Sequence, residues 1–208
     1  MGTTLEVAPH PLLEVGAFVT RFVQPLVQLP PFTPPPASPP TISDSERAAV
    51  RALLRHGGFK PSGRSKPASE YLQAAHAESR FPTINAAVDA CNIASLHWGL
   101  PISLIDLDRV VGAKLRIAVC PPDTSYVFNP SGQTIDASGL LAVLDDEGPT
   151  GTPVKDAQRT KTHDGTTRTL AVIWGTNALP GRTREATQWY RALVATIPGT
   201  TNDDVAIV

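Results

Sequence analysis

Residues 83–108 read TINAAVDACNIASLHWGLPISLIDLD, and the spacing of their apolar side chains changes near the middle. The first part, opened by Pro82, predicts a largely buried helix to about Trp98, because small and apolar residues surround its few polar ones. Gly99 is typical of a helix stop. The short apolar run at 102–105 then indicates a buried strand. A helix that leads directly into a core strand is therefore the central element of the predicted fold.

Two further helices are predicted upstream. The first, 43–58, opens with the capping box SDSE and closes at a Gly-Gly pair, and the second, 67–77, opens at a proline. Seven of the eleven residues 30–40 are proline, which favours an extended polyproline II path. This segment is either a stiff strap or a ligand for an aromatic groove. Before it, the alternating residues 16–23 predict an edge strand.

The pattern downstream of the central element is mostly that of strands. Strands are predicted at 114–119, 126–128 and 167–174, and the apolar run at 140–144 is ambiguous. A closing amphipathic helix is predicted at 182–197. Because helices come first and strands later, the sequence predicts an α+β fold with a β-rich, sandwich-like core flanked by helices. In this prediction residues 1–40 form an N-terminal arm and strap, and residues 41–208 form the main domain.

Charge is distributed unevenly along the 208 residues. Eighteen Lys and Arg against 19 Asp and Glu give a net charge of −1, which excludes a general, charge-driven coating of nucleic acid. Residues 47–69, however, contain six cations and no acids, and residues 155–168 contain four cations and two acids. These two segments predict a local basic face. The hydrophobic content of 41% excludes a disordered chain.

The ends of the sequence and its cysteines indicate a cytoplasmic protein. The sequence has no secretory signal pattern and no apolar run near the ~20 residues of a membrane helix, so no membrane partner is expected. Cys91 and Cys120 are expected to stay reduced, and neither has a second ligand at zinc spacing. Neither a metal nor a cofactor is predicted. Cys91 is better explained as a small buried residue than as a nucleophile.

The segment GRSKPASE at 63–70 places two cations before a helix. Arg64, Ser65 and Lys66 precede the free backbone N–H groups and the positive dipole end of that helix, an arrangement that suits a phosphate or a carboxylate. The alternative is structural, in which Arg64 pairs with a core carboxylate and Ser65 caps the helix.

One face of the helix at 82–98 carries polar residues. Asn85, Asp89 and Asn92 are spaced i, i+4 and i+7 among apolar neighbours, so their burial requires hydrogen-bond partners. They either hold the Arg64 loop in place or line a pocket. His97 lies on the same helix, and a lone helical histidine is more often a structural residue than a catalyst.

The segment VKDAQRTKTH at 154–163 is dense in hydrogen-bond donors. A basic, hydroxyl-rich segment beside a core strand suits an anionic ligand. The alternative is a solvated hairpin. The residues that would bind such a ligand are Lys155, Asp156, Arg159, Lys161 and Thr162. No Ser-His-Asp or Cys-His order accompanies them.

Residues 83–108 resemble the motif VNxVVDxTNYVxLExGQPxHAFDLD of the B3/B4 domain, the tRNA-binding and editing domain of the phenylalanyl-tRNA synthetase beta subunit. The shared positions are Asn85, Val88, Asp89, Asn92, Leu96, Gly99, Pro101, Asp106, Leu107 and Asp108. Further similar segments lie at 115–116, 132–136 and 145–149. The resemblance therefore covers about 82–174. Freestanding proteins of this family are similar over 57–174, including the stretch GRSKPASEYL.

The resemblance implies a β-rich core of unusual topology, with residues 41–208 as a phenylalanyl-tRNA synthetase-like B3/B4 domain. It also implies that tRNA, or the 3′ end of an aminoacyl-tRNA, is the partner. If the protein is an enzyme, the resemblance implies an aminoacyl-tRNA deacylase that hydrolyses misacylated tRNA in trans. Aminoacylation is not expected, because the chain has no room for the synthetase catalytic domain.

Hydrolysis needs an oriented water and a group that holds phosphate or the developing oxyanion. The candidates for orienting the water are Ser103, Asp89 or His97. Arg64, Lys66 and Lys155 would hold the phosphate or the oxyanion. The sequence departs from the family at two places. Ser103 stands where the synthetase editing pocket has a histidine, and Arg159 and Lys161 lie near the position of its acidic stretch. The change from acid to base favours an anionic aminoacyl group, or another small anion, over tyrosine.

Two other functions fit the same residues. A non-catalytic module would use the inherited pocket for a small anion or a free amino acid. A small-molecule hydrolase would build on the same scaffold, although no nucleophile–base pair is visible for it. The sequence gives no indication of the oligomeric state.

Overall fold

The computed structural model describes residues 3–34 and 39–208, which contain ten strands and four α-helices. The helices are α1 (Asp44–Arg55), α2 (Ala68–Ala77), α3 (Ala86–Trp98) and α4 (Arg182–Val194). The strands are β1 (Thr3–Val7), β2 (Leu13–Phe22), β3 (Ile102–Asp106), β4 (Leu115–Val119), β5 (Ser125–Val127), β6 (Thr134–Asp136), β7 (Leu141–Asp145), β8 (Gly148–Gly151), β9 (Arg168–Thr176) and β10 (Thr200–Ile207). Part of the predicted strap, residues 35–38, lies outside the described residues.

Eight of the strands form one sheet in the order β3-β9-β2-β10-β1-β4-β7-β8, and β5 pairs with β6 in a separate hairpin. The large sheet is nearly closed, because its two edge strands meet through a side chain. The Ser103 hydroxyl of β3 donates to the carbonyl of Thr152, directly after β8, at 3.1 Å. The segment that follows β8 crosses the remaining gap and forms a bridge between Ile105 and Lys161. We call this line of contact the seam.

Helices cover the sheet and bury its core. α4 packs on β2 and β9, where the Tyr190 ring meets Phe18 edge-on at 5.0 Å between ring centroids. Trp174 of β9 is fully buried, and α3 contacts α2, α4 and β3. The predicted α+β fold with a β-rich core flanked by helices is thus confirmed. None of the helices in the described residues has the length and apolar character needed to cross a bilayer.

Local sequence signals predicted the first two helices to within three residues. At α1, Ser43 forms the expected capping box, in which its hydroxyl accepts from the Glu46 N–H and the Glu46 carboxylate accepts from the Ser43 N–H. The predicted start of α3 at Pro82 is wrong. Asn85 is the N-cap, since its side chain accepts from the Val88 N–H and its own backbone is extended.

The predicted edge position of residues 16–23 is also wrong. Most of them belong to β2, which pairs antiparallel with β9 on one side and with β10 on the other. β10 comes from the last residues of the sequence, for which no strand was predicted. The boundary between residues 40 and 41 stays a prediction. β1 and β2, on its N-terminal side, lie in the same sheet as strands from its other side.

The turn at Gly139 fixes the loop that leaves α1. Gly139 has a φ of +73°, and an added Cβ would lie 2.2 Å from the carbonyl oxygen of Gly57, whereas Gly58 has a φ of +95° and open space around such a Cβ. We expect Gly139→Ala to lower the free energy of unfolding by about 1–3 kcal/mol more than Gly58→Ala, because overpacking adds to the backbone strain that both share. Urea denaturation of the two variants measures the difference. Equal stabilities would contradict the close contact.

Candidate functional site

A pocket lies along the seam, where the sheet does not close. Its deep part has a volume of about 300 Å³ and lies between α3, β3 and the segment after β8. It opens into a wider cleft of about 970 Å³ beside the hairpin of β5 and β6. The residues that line both parts are Ala68, Asn92, Val154 and Lys155. We call the two parts together the seam pocket.

The walls of the deep part are mostly apolar. They are formed by Ala68, Ile84, Val88, Cys91, Ile102, Leu104 and Val154. The polar groups that reach this part belong to Asn92, Thr152, Lys155, Asp156, Lys161 and Thr162. Apolar walls with a few convergent polar groups are typical of ligand-binding pockets.

Asp156 carries the negative charge of the deep part. Its Oδ2 accepts a hydrogen bond of 2.9 Å from the backbone N–H of Leu104, whereas its Oδ1 is buried and has no hydrogen-bond partner among the described residues. Burial raises the pKa of Asp156 to about 6, against the opposing effects of the Leu104 N–H, the nearby Ser103 hydroxyl and the Lys161 ammonium. Because an unpartnered buried carboxylate oxygen is costly in a folded protein, this atom is a candidate contact for a ligand or a water.

Two lysines share the deep part with Asp156, and both contact Phe128. The Lys161 ammonium donates to the Phe128 carbonyl at 2.5 Å, and the Lys155 ammonium lies 3.9 Å from the centroid of the Phe128 ring. Burial lowers the pKa of both lysines. The nearby charges of Arg64 and Lys161 lower the pKa of Lys155 further. Positive charges held this close together favour an anionic ligand.

The hairpin of β5 and β6 is tied to the segment after β8. The Tyr126 hydroxyl donates to the Lys155 carbonyl at 2.5 Å and lies 2.8 Å from Thr152 Oγ1, within hydrogen-bond distance. Burial raises the pKa of Tyr126, so the phenol keeps its proton at neutral pH and remains a donor. This tie sets Phe128, and with it the two lysines, against the pocket.

Seven residues predicted as a binding site line the seam pocket. They are Arg64, Ser65, Asn92, Lys155, Asp156, Lys161 and Thr162. Arg64 and Ser65 lie at the rim on the short 3-10 turn Gly63–Ser65. Ser65 does not cap α2, whose N-cap is Pro67, and Arg64 makes no ion pair within the described part of the chain. The structural alternative for this loop is therefore not what the structure shows.

Three other predicted binding residues lie outside the lining. Asn85 caps α3, and Lys66 is exposed to solvent. Arg159 makes hydrogen bonds of 2.6 and 2.8 Å to the two carboxylate oxygens of Asp145 and also donates to the Gly148 carbonyl. Because Asp145 neutralises Arg159, the expected change from acid to base rests on Lys161 alone.

Two of the residues predicted to position a hydrolytic water do not line the seam pocket. Ser103 is fully buried, and its hydroxyl accepts from Trp174 Nε1 at 2.9 Å and donates to the Thr152 carbonyl. His97 stacks on Trp189 of α4 at 4.5 Å between ring centroids, and burial lowers its pKa.

Asp89, the third of these residues, closes the loop before α3. It is 7% exposed, and its Oδ1 accepts a hydrogen bond of 2.8 Å from the backbone N–H of Ile84. We expect Asp89→Ala to lower the free energy of unfolding by about 1–3 kcal/mol, because a partly buried N–H loses its acceptor. Asp89→Asn keeps an acceptor oxygen and is the control. Thermal melting measures both variants. An alanine variant with the melting temperature of the wild type would contradict this role of Asp89.

Sequence reasoning missed the residues that line the wide cleft from the hairpin and from α2. They are Tyr71, Leu72, Phe128, Gln133, Thr134, Ile135 and Asp136, together with Gly132. An aromatic residue after a short strand was the one available signal, and ordinary hairpins show the same pattern. Among the described residues, no three His, Cys, Asp or Glu side chains are arranged to hold a metal ion.

The fold and the site define an α+β domain with a pocket at the seam of a nearly closed sheet. Residues 60–186 match the family model of the B3/4 domain, which is the domain found in the phenylalanyl-tRNA synthetase beta subunit. Because this match covers more than half of the 208 residues, the chain belongs to the B3/4 domain family. The resemblance seen at 82–174 is thereby confirmed. A comparison with curated proteins gave no match.

Proposed function

We propose that the protein binds the aminoacylated 3′ end of a tRNA in the seam pocket and hydrolyses the ester bond of misacylated tRNA in trans. The observation that carries the proposal is the convergence of three cations, Arg64, Lys155 and Lys161, on a pocket whose apolar-walled deep part holds a single carboxylate, that of Asp156. Membership of the B3/4 domain family supports a substrate that is linked to tRNA.

The two parts of the seam pocket suit the two parts of such a substrate. The deep part, of about 300 Å³, takes the aminoacyl side chain against its apolar walls. The wide cleft takes the terminal nucleotide, with a phosphate near Arg64 and Lys155. Guanidinium and ammonium groups bind phosphate through charge-assisted hydrogen bonds. Tyr71 and Phe128 line the same cleft, and aromatic side chains are the usual partners of unpaired bases.

Hydrolysis requires a base for the attacking water and a cation near the ester carbonyl. Asp156, with a pKa of about 6, is mostly ionised at neutral pH and takes a proton from a water whose oxygen attacks the carbonyl carbon. The Lys161 ammonium stabilises the negative charge that develops on the carbonyl oxygen. The bond to the ribose oxygen then breaks, and that oxygen takes the proton from Asp156. The products are a free amino acid and a tRNA with a free ribose hydroxyl.

A non-catalytic module for a small anion or a free amino acid is the second candidate. The observation in its favour is that both lysines of the deep part already contact Phe128, Lys161 through the Phe128 carbonyl and Lys155 through the Phe128 ring. A small anion in the deep part would replace Phe128 as the partner of the two ammonium groups and would not need the wide cleft.

Binding measurements separate the two functions. The probes are a tRNA that carries its amino acid through a stable 3′-amide, the same tRNA uncharged, the free amino acid, and inorganic phosphate. We expect the amide-linked tRNA to bind most tightly, because it alone fills both parts of the seam pocket. A free amino acid or phosphate that binds at least as tightly as every charged tRNA would establish the second function instead.

A further inference from the structure

The cations of residues 47–69 fall into two groups in the structure. Arg51 makes hydrogen bonds of 2.6 and 2.5 Å to the Glu70 carboxylate, and Arg47 binds Asp44 and Gln73. The remaining four cations are exposed and make no ion pair or side-chain hydrogen bond within the described parts of the chain. They are Arg55, Lys60, Arg64 and Lys66. These four charges are available to a polyanion, whereas the first two are already neutralised.

Two of the available cations line a hollow of their own. This hollow has a volume of about 460 Å³ and is formed by Arg55, Gly58, Phe59, Lys60, Pro61 and Ser62. We call it the basic hollow. The chain runs from it directly to Arg64 at the rim of the seam pocket, and the four Cα-to-Cα steps from Lys60 to Arg64 span at most about 14 Å. The basic hollow and the rim therefore lie within reach of neighbouring phosphates on one strand.

The loop that carries the basic hollow is held in a defined shape. The Gly58 N–H donates to the Arg55 carbonyl at 2.8 Å, and the Ser62 N–H donates to the Lys60 carbonyl at 2.9 Å. At the far end of the loop, the Tyr71 hydroxyl donates to the Gly63 carbonyl at 3.0 Å. A surface that is ordered before it binds loses less conformational entropy on binding.

We propose that the basic hollow binds backbone phosphates of the single-stranded 3′ segment of an RNA whose end lies in the seam pocket. The inference rests on the proposed function and adds a second contact site to it. Single-stranded RNA fits better than a small anion, because the available cations extend along a surface instead of converging on one point. Asp136 is an acid among the lining residues of the wide cleft, and its charge opposes the same strand.

The salt dependence of RNA binding tests the inference. The probe is an uncharged RNA hairpin that ends in single-stranded CCA, measured by fluorescence anisotropy between 50 and 200 mM KCl. We expect the double variant Arg55→Ala/Lys60→Ala to reduce the slope of log K against log salt by about 1.4, which is about 0.7 for each lost phosphate contact. Over this range the wild type then loses about sevenfold more affinity than the variant. Asp136→Asn is expected to tighten binding.

The matched control is Arg21→Ala/Arg116→Ala, which removes the same charge from two exposed, ion-paired arginines on β2 and β4. An equal slope change in the test and control variants would overturn the inference, as would a duplex DNA that binds with the affinity and the slope of the RNA. If the wild-type protein cleaves an aminoacyl ester of a CCA trinucleotide but does not bind the hairpin, RNA binding at the basic hollow is overturned and the proposed function stands. If it neither cleaves the ester nor binds the hairpin, both the inference and the proposed function are contradicted.

Discussion

We expect Asp156→Asn to lower the proposed rate of aminoacyl-tRNA hydrolysis by about 10²- to 10⁴-fold, the range found when a general base is removed. The amide keeps an oxygen for the Leu104 N–H, which donates to the carboxylate at 2.9 Å, but it takes no proton from water. The measurement is single-turnover deacylation of the most rapidly cleaved aminoacyl-tRNA, with the protein-free rate subtracted. A variant as fast as the wild type would remove Asp156 from the chemistry.

The pH dependence of the same reaction follows from the pKa of Asp156, which is about 6. The base must be ionised, so the protein-dependent rate rises with pH up to about 6 and then levels off. The residual rate of Asp156→Asn shows no such rise. A wild-type profile that is flat between pH 5 and pH 7 would point to a different base.

The stability of the Asp156→Asn variant distinguishes lost chemistry from lost folding. Burial raises the pKa of Asp156 from 3.8 to about 6, so the folded protein binds the proton more tightly than the unfolded chain does. Stability therefore falls as the pH rises from about 4 to about 6, and the full cost, up to about 3 kcal/mol, is present at pH 7. We expect the asparagine variant to melt at a higher temperature than the wild type at pH 7. A lower melting temperature would mean that the carboxylate is needed for the fold.

We expect Lys155→Ala and Arg64→Ala each to weaken the binding of the amide-linked aminoacyl-tRNA without unfolding the protein. In the proposed complex each variant lacks one charge-assisted hydrogen bond to phosphate, worth about 1.5–3 kcal/mol, so the dissociation constant is expected to rise by about 10- to 150-fold. Lys114→Ala, at an exposed position, is the control for the loss of one positive charge. Unchanged affinity in both test variants would exclude these residues from the site.

Signals confined to a few residues predicted the helices well, and signals that depend on distant partners did not. The capping box at Ser43 is complete within four residues, so the start of α1 could be predicted. At α3 two start signals compete, and the one at Asn85 prevails over Pro82 because Asp89 also accepts the Ile84 N–H. β2 has its partners in β9 and β10, more than 140 residues away, and nothing in its own alternation shows that both its sides are paired.

The candidate site shows the same division. Its charged residues could be predicted, because Arg64 and the segment 155–162 are dense in donors and lie in loops. Arg159 belongs to that segment by composition but pairs with Asp145, a partner that the sequence pattern does not mark. Ser103 was predicted to position a water because of its place in the family motif, yet its hydroxyl accepts from Trp174 Nε1 in the core. Phe128 contacts Lys155 and Lys161 only because the hairpin of β5 and β6 packs beside the seam. Such a contact between distant segments leaves no local signal in the sequence.

Deacylation of a full panel of aminoacyl-tRNAs tests the central claim most directly. Each tRNA is incubated with the wild-type protein, with Asp156→Asn, and without protein, and the remaining ester is measured over time. We predict that the wild type accelerates hydrolysis of at least one aminoacyl-tRNA and that the asparagine variant does so at least about a hundredfold less. Folded wild-type protein that accelerates none of them would contradict hydrolysis at the seam pocket.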